Sequence, residues 1–132
     1  LVTALIGIVA GAIGSWFATF HIQPILRFHD IRNQVIMDFI YYAQVVNANG
    51  LDEEMQQLFR ERVLANRRAS AQLAAANQCL PSWYSNYLIK VKKWVPEDAA
   101  RNLIGFSNTT ERDAAAKIQA HIRQCLGLPP EG

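Results

Sequence analysis

The sequence predicts an all-α fold, with one N-terminal transmembrane helix followed by a small cytosolic bundle of about five helices. Residues 1–26 contain no Asp, Glu, Lys or Arg, whereas all 24 charged side chains (13 basic and 11 acidic) lie at Arg27 or beyond. From there on, apolar residues recur at helical spacing and no strand-like alternation is found. We divide the chain into an anchor (1–26), a membrane-proximal helix and turn (27–50) and a soluble helical domain (51–132).

The start of the chain has the length and composition of a membrane span. A spanning helix needs about 20 mostly apolar residues, and the first 20 here include only Thr3, Ser15 and Thr19 as polar members. Because this run is longer than the apolar part of a signal peptide and no small-residue cleavage site follows it, we interpret it as an uncleaved anchor. Arg27 and Arg32 follow the span, so the positive-inside tendency favours a single-pass protein whose C-terminal domain is cytoplasmic.

Small side chains form a stripe along the anchor. Steps of three and four residues place them on one helix face; they are Ala4, Gly7, Gly11, Gly14 and Ala18. The spacing Gly7-x-x-x-Gly11 allows the backbone of a second helix to approach closely. We therefore predict that the protein forms a homo-oligomer through this face.

Pro24 marks the end of the anchor, where we expect the helix to kink or restart. A second apolar stripe at helical spacing follows it and ends near a turn at residues 47–50. Its members are Phe28, Ile31, Val35, Phe39, Tyr42 and Val46. The stripe predicts a membrane-proximal helix of about 20 residues that packs through one face.

The soluble domain begins with a long predicted helix. Asp52 is a suitable N-cap, and the following residues to about Cys79 are mostly good helix formers. Pro81 opens a further helix, which Pro96 must stop. A short helix then fits the residues from Pro96 to Ile104.

The end of the chain contains signals for a turn and a final helix. Gly105 opens a predicted turn and ends the preceding helix. Thr110 and Asp113 have the spacing of a capping box. The last helix runs through Leu126, and Gly127 is its predicted C-terminal stop.

Aromatic and basic side chains indicate a candidate membrane-interface surface. Trp16 and Phe20 lie near the end of the anchor. A helix over residues 82–94 would group further rings with a lysine; these residues are Trp83, Tyr87, Lys90 and Trp94. Aromatic rings favour headgroup depth and lysines favour anionic lipid, so membrane lipid is a predicted partner. The alternative is a helix with one face in the core and an ordinary polar surface on the other.

The long helix carries a cluster of arginines: Arg60, Arg62, Arg67 and Arg68. Guanidinium groups bind phosphate and other anions through forked donors. Arg60, Arg67 and Arg68 are therefore candidate residues for binding an anionic ligand or a partner protein. The alternative is a solvated face on which nearby glutamates form salt bridges.

The sequence contains no recognisable catalytic constellation. It lacks a Gly-rich phosphate loop, a Ser-His-Asp signature and a metalloprotease motif, so we expect neither enzymatic activity nor a cofactor. His121 and Cys125 are four residues apart, but two ligands fall short of a structural zinc site, and no metal is predicted. A net charge of +2 is too small to indicate a nucleic-acid partner. Two cysteines do not make a disulfide framework, which favours a reduced cytosolic domain.

Three short motifs carry a resemblance to a known group of proteins. NLIGFSNT at residues 102–109, followed by a charged helix that ends in LGL at 126–128, resembles the C-terminal part of small, uncharacterised bacterial proteins with one membrane anchor. LPSW at 80–83 is similar to the middle segment of that group. The resemblance covers about half of the chain and implies a helical module in the bacterial inner membrane, without an assigned activity.

These observations lead to two hypotheses of function. The first is a non-enzymatic protein that self-assembles in the inner membrane, and its sharper version is a pore-forming or membrane-perturbing effector in anti-phage defence. The alternative is a membrane tether or accessory subunit whose cytosolic helices bind a partner protein or an anionic ligand. Both require the same anchor and the same packed helices.

Overall fold

The computed structural model describes residues 1–43, 52–109 and 112–130, and no strand occurs among them. Its α-helices are α1 (Val2–Phe17), α2 (Gln23–Tyr41), α3 (Glu53–Cys79), α4 (Ser82–Tyr87), α5 (Pro96–Asn108) and α6 (Arg112–Leu126). Two π-helical turns, Ala18–Ile22 and Leu88–Lys92, directly follow α1 and α4. The predicted all-α fold, with a long apolar N-terminal helix followed by a helical region, is confirmed.

The first helix is continuous from Val2 to Tyr41, and by length and composition it is able to cross a membrane. We expected a kink or a restart at Pro24, and the helix does not restart there. Instead, the turn before Pro24 widens to a π-helix, in which the Gln23 amide donates to the Ala18 carbonyl five residues earlier. A proline ring clashes with the carbonyl four residues before it in a regular α-helix. The wider turn provides the room, so α1 continues directly into α2.

The second half of the first helix belongs to the core. Four residues of the predicted stripe are buried: Phe28, Ile31, Val35 and Phe39. Tyr42 is half-buried, and Val46 lies outside the described residues. This face packs against α3, which in turn packs on α5, and α5 packs on α6. Burying each large apolar side chain contributes about 1.5–3 kcal/mol, so the core holds α2 firmly in the domain.

The long helix α3 begins as predicted. The Asp52 carboxylate accepts a hydrogen bond of 2.8 Å from the backbone amide of Met55, which satisfies one free donor of the first turn. Towards the other end, Ala69, Leu73 and Ala76 are buried. Their small or compact side chains allow α3 to pack closely against its neighbours.

The helix predicted over residues 82–94 ends early. Its last helical residue is Lys92, because Lys93 adopts a left-handed conformation with φ of 61°. The Trp94 amide then donates to the Leu88 carbonyl at 2.9 Å, which closes the helix end. This turn takes Trp94 off the face that carries Trp83, and its indole is half-buried. The predicted grouping of these two tryptophans on one helix side is therefore wrong.

The predicted turn at Gly105 is also wrong, since α5 continues to Asn108. The two residues after the glycine, Phe106 and Ser107, are each only 2% exposed. The Phe106 ring packs edge-on against the ring of Phe39, with 5.2 Å between their centroids. Burial of this last turn outweighs the cost of a glycine inside a helix, which is about 0.5–1 kcal/mol.

Gly127 ends α6 as predicted. Its φ of 63° is left-handed, and the amide of Leu128 donates to the Arg123 carbonyl at 2.8 Å, as in a Schellman motif. A Cβ built on this glycine would overlap the indole ring of Trp94. At the other end of α6, the predicted capping box includes Thr110, which lies outside the described residues.

The two glycines should respond oppositely to alanine. We expect Gly127→Ala to lower the free energy of unfolding by at least about 1 kcal/mol, because an L-residue is strained at positive φ and the new methyl meets Trp94. Gly105→Ala should raise it by about 0.5–1 kcal/mol, since no atom lies within 4 Å of a Cβ built there. Thermal unfolding followed by circular dichroism in detergent measures both. A destabilised Gly105→Ala variant would contradict the continuous helix α5.

Candidate functional site

Aromatic rings surround the end of the anchor. The Phe17 ring stacks on the imidazole of His21, with 4.9 Å between centroids and 14° between planes. Trp16 and Phe20 are the two interface residues predicted here. Their ring centroids lie 5.8 Å apart, and the two residues are 55% and 59% exposed. Exposed aromatic side chains at the end of an apolar span are typical of the membrane–water interface.

Helix α4 is attached to the first helix beside this aromatic group. The indole N–H of Trp83 donates to Nδ1 of His21 at 3.0 Å. The Tyr84 hydroxyl lies 2.6 Å from Nε2 of His29. Because His21 and His29 are about two helical turns apart, two consecutive residues of α4 are bonded to the first helix on either side of the anchor's end. Residues distant in sequence therefore meet at the point where the charge-free segment stops.

The surface next to this attachment is apolar and basic. Trp83, Tyr87 and Lys90, three of the predicted interface residues, are exposed. Ile89 and Val91 in the π-helical turn are exposed as well, by 50% and 65%. Helical periodicity did not indicate these two aliphatic residues, because a regular helix would have turned Val91 inward with Leu88. We call these five residues the exit surface.

Trp94, the fourth residue predicted with this group, lies elsewhere. Its ring is covered by the guanidinium of Arg32, 4.5 Å from the ring centroid. Arg32 also donates to the carbonyl oxygens of Leu126 at 2.6 Å and Gly127 at 2.8 Å. These groups join α2 to the C-terminal end of α6, so Trp94 packs within the domain and is not part of the exit surface.

The predicted arginine cluster separates in the structure. Arg60 and Arg68 are exposed, and Arg67 donates to the side-chain oxygen of Asn108 at 2.9 Å. Among the residues that the structure describes, no carboxylate forms an ion pair with any of the three. Arg62 differs from them because it is 1% exposed and lies inside the domain. The cluster of four is therefore three surface arginines and one core arginine.

Arg62 holds the C-terminal end of α5. Its two terminal nitrogens donate to the carbonyl oxygens of Phe106 at 3.2 Å and Thr109 at 3.0 Å. The guanidinium lies between the rings of Phe59 and Phe106, 4.9 Å from each. Burial lowers its pKa from the usual range, yet a guanidinium remains protonated in proteins. The carbonyls at a helix C-terminus carry partial negative charge, so they serve here in place of a carboxylate.

A pocket of about 290 Å³ lies between the first helix and the end of α3. We call it the exit pocket; it is lined by Thr19, Gln23, Pro24, Arg27, Ala75, Ala76 and Cys79. The Cys79 thiol is free and exposed, whereas Cys125 is buried and burial raises the pKa of its thiol. Cys125 lies 3.6 Å from Nε2 of His121. In the described part of the chain, no group of three or more His, Cys, Asp or Glu is placed to hold a metal ion.

Most of the small-residue stripe of the anchor is exposed in the described part of the chain. Ala18, the first residue of the π-helical turn, is half-buried, and the other four stripe residues are exposed. A Cβ built on Gly7, Gly11 or Gly14 meets no other atom within 4 Å. The face predicted to mediate assembly is therefore free in a single described chain.

Comparisons with protein-family models, curated protein sequences and solved structures found no match to this chain. The resemblance of residues 80–83, 102–109 and 126–128 to small bacterial anchored proteins therefore stays a prediction. Function has to be inferred from the anchor, the exit surface and the exit pocket.

Arg62→Met should lower the free energy of unfolding by about 3 kcal/mol. The thioether cannot donate to the two carbonyls at the end of α5, and hydrogen bonds from a charged donor contribute roughly 1.5–3 kcal/mol each. Arg60→Met is the matched control on an exposed turn of the same helix, and we expect a change within about 0.5 kcal/mol. Thermal or denaturant unfolding in detergent compares them. Equal stability of the two variants would show that Arg62 does not hold α5.

Proposed function

We propose that this chain is a non-enzymatic, membrane-anchored protein that self-assembles through its anchor and holds its helical domain against the bilayer surface. The observation that carries the proposal is the first helix, Val2 to Tyr41. No residue of its most apolar 18-residue window is buried, whereas its second half is part of the core. A large exposed apolar surface usually contacts a partner or a membrane. A lipid bilayer suits this charge-free segment, because a helix satisfies its own backbone hydrogen bonds.

The continuity of this helix supports a fixed position of the domain. The anchor is followed directly by α2, without an intervening loop, and α2 is held in the core by Phe28, Val35 and Phe39. A helix that crosses the bilayer therefore orients the whole domain. The exit surface then lies near headgroup depth, where Trp83 and Lys90 suit the polar and anionic groups of lipids.

The charges near the exit support a cytoplasmic domain. Arg27 is the first charged residue of the chain, and Lys90, Lys92 and Lys93 follow the segment that is attached beside the end of the anchor. Basic residues near a span favour the cytoplasmic side. We therefore propose a single-pass inner-membrane protein whose C-terminal domain is cytoplasmic.

Self-assembly is proposed because four of the five stripe residues, Ala4, Gly7, Gly11 and Gly14, are exposed in the described part of the chain. Association of helices in lipid depends on close packing and weak polar contacts, and glycines allow backbones to approach. A narrower form of the proposal is a pore-forming or membrane-perturbing effector, of the kind that acts in anti-phage defence. Since Thr3, Ser15 and Thr19 are the polar residues of the span, such a pore would be narrow or gated by dewetting. Liposomes with the protein that stay ion-tight would contradict this form.

The second candidate is a tether whose domain recruits a partner. Arg60 and Arg68 favour it, because they are exposed and no described carboxylate pairs with them. Unpaired guanidinium groups suit an acidic protein or an anionic ligand. Capture of a specific partner that is lost when both arginines are neutralised would support the tether.

Assembly is tested by counting protomers in nanodiscs with native mass spectrometry. The double variant Gly7→Ile/Gly11→Ile should convert a multimer to a monomer, because branched side chains on the stripe keep a second backbone away. A Cβ at either glycine meets no described atom within 4 Å apart from the backbone of its own helix, so the loss reports contact between chains. Val9→Ile/Ala12→Ile adds bulk outside the stripe, at least about 80° around the helix from its nearest member, and should leave the count unchanged.

The number of protomers also distinguishes the pore from the tether. A ring of four or more copies that conducts ions would support the pore, whereas a non-conducting dimer would support the tether. A wild-type protein that is monomeric, or a glycine variant that assembles as wild type does, would contradict self-assembly through the stripe.

A further inference from the structure

We infer that the exit pocket binds the headgroup of an anionic phospholipid, an inference that rests on the proposed membrane anchoring. The pocket lies where the chain passes from apolar to charged. Thr19 belongs to the charge-free segment and Arg27 is the first charged residue, and both line the same cavity. In a chain that crosses a bilayer, this level is that of the lipid phosphates and glycerol groups.

The polar lining of the pocket suits a phosphate ester. Thr19, Gln23 and Arg27 lie on successive turns of the first helix and supply a hydroxyl, an amide and a guanidinium. None of the three forms a side-chain hydrogen bond or an ion pair with another residue in the described part of the chain. A guanidinium presents two parallel donors to a phosphate. The described lining contains no Asp or Glu that would repel an anion.

The apolar side of the pocket suits the part of a lipid next to its phosphate. Pro24, Ala75 and Ala76 supply small hydrophobic surfaces, and Ala76 is buried beneath the cavity. The volume of about 290 Å³ exceeds that of a single water, about 30 Å³, by roughly tenfold. A phosphate with its glycerol fits this space, whereas the acyl chains would continue along the exposed anchor.

Basic residues near the end of the anchor also concentrate anionic lipid around this pocket. The exit surface includes Lys90, and Lys92 and Lys93 come directly after it in the sequence. These lysines follow helix α4, which is bonded to the first helix at His21, near the level of the pocket. Basic residues near a membrane attract anionic lipid. Anionic lipids are therefore enriched around the anchor, and Arg27 is placed to select one of them.

The test is lipid retention by the full chain in non-ionic detergent, measured by native mass spectrometry with phosphatidylglycerol or phosphatidylcholine. We expect retention of phosphatidylglycerol to fall at least fivefold in Arg27→Gln. Ala75→Leu fills the pocket without a change of charge and should have the same effect. Lys117→Gln removes an equal charge from an exposed position on α6, a helix that contributes no described residue to the pocket lining, and it should retain lipid as wild type does. Equal retention by all four proteins would overturn the inference.

Cys79 provides a second readout at the pocket itself. Its exposed thiol should react with a maleimide several-fold more slowly in the presence of phosphatidylglycerol than of phosphatidylcholine, and Arg27→Gln should remove this protection. Cys125 is buried, so the native reaction reports Cys79. Reaction at the same rate in both lipids would contradict an occupied pocket.

Glycerol 3-phosphate distinguishes a lipid from a soluble anion. At the same concentration it should not displace phosphatidylglycerol, because it lacks the acyl chains that hold the lipid along the anchor. Complete displacement would overturn the lipid as the occupant. These measurements use detergent, where assembly is not required. Unchanged lipid retention by Arg27→Gln and Ala75→Leu therefore counts against the pocket alone, whereas an unaffected glycine variant in nanodiscs counts against assembly alone.

Discussion

The two halves of the first helix lie in different environments, and most of the structure follows from this difference. The first half has no charge, and no residue of its most apolar 18-residue window is buried within the described chain. The second half is buried on one face through Phe28, Ile31, Val35 and Phe39. Because no loop separates the halves, the packing energy of the domain also fixes the direction of the anchor. The π-helical turn before Pro24 makes this possible, since it accommodates the proline without breaking the helix.

Arginines complete the domain by binding helix ends. Arg62 donates to carbonyls at the end of α5, and Arg32 donates to Leu126 and Gly127 at the end of α6. The last four carbonyls of a helix lack internal partners, and cations are favourable near them. Each guanidinium also lies over an aromatic ring, that of Phe106 or Trp94, which covers its apolar faces. In the described part of the chain, these arginines therefore join distant helices through backbone carbonyls and not through salt bridges.

The sequence predicted the features that depend on local pattern. The stripe of α2, the Asp52 N-cap and the stop at Gly127 follow from periodicity and capping chemistry, and the structure confirms them. Gly105 does not end α5, because burial of Phe106 under α3 outweighs a local preference. Lys93 was not foreseen as a left-handed residue, and Trp94 was misplaced as a result. The pocket was missed for a related reason, since Arg27 and Cys79 meet only after α3 folds back on the first helix.

The most direct test of this account is the distance across the end of the anchor. Spin labels at the exposed positions Ile6 and Met37, in a Cys79→Ser/Cys125→Ala background diluted with unlabelled protein in nanodiscs, report it by electron paramagnetic resonance. A continuous helix predicts one narrow distribution near 46 Å, since 31 residues rise about 1.5 Å each. A broad distribution with a shorter mean would show a hinge at the membrane exit, and would contradict the rigid coupling of anchor and domain.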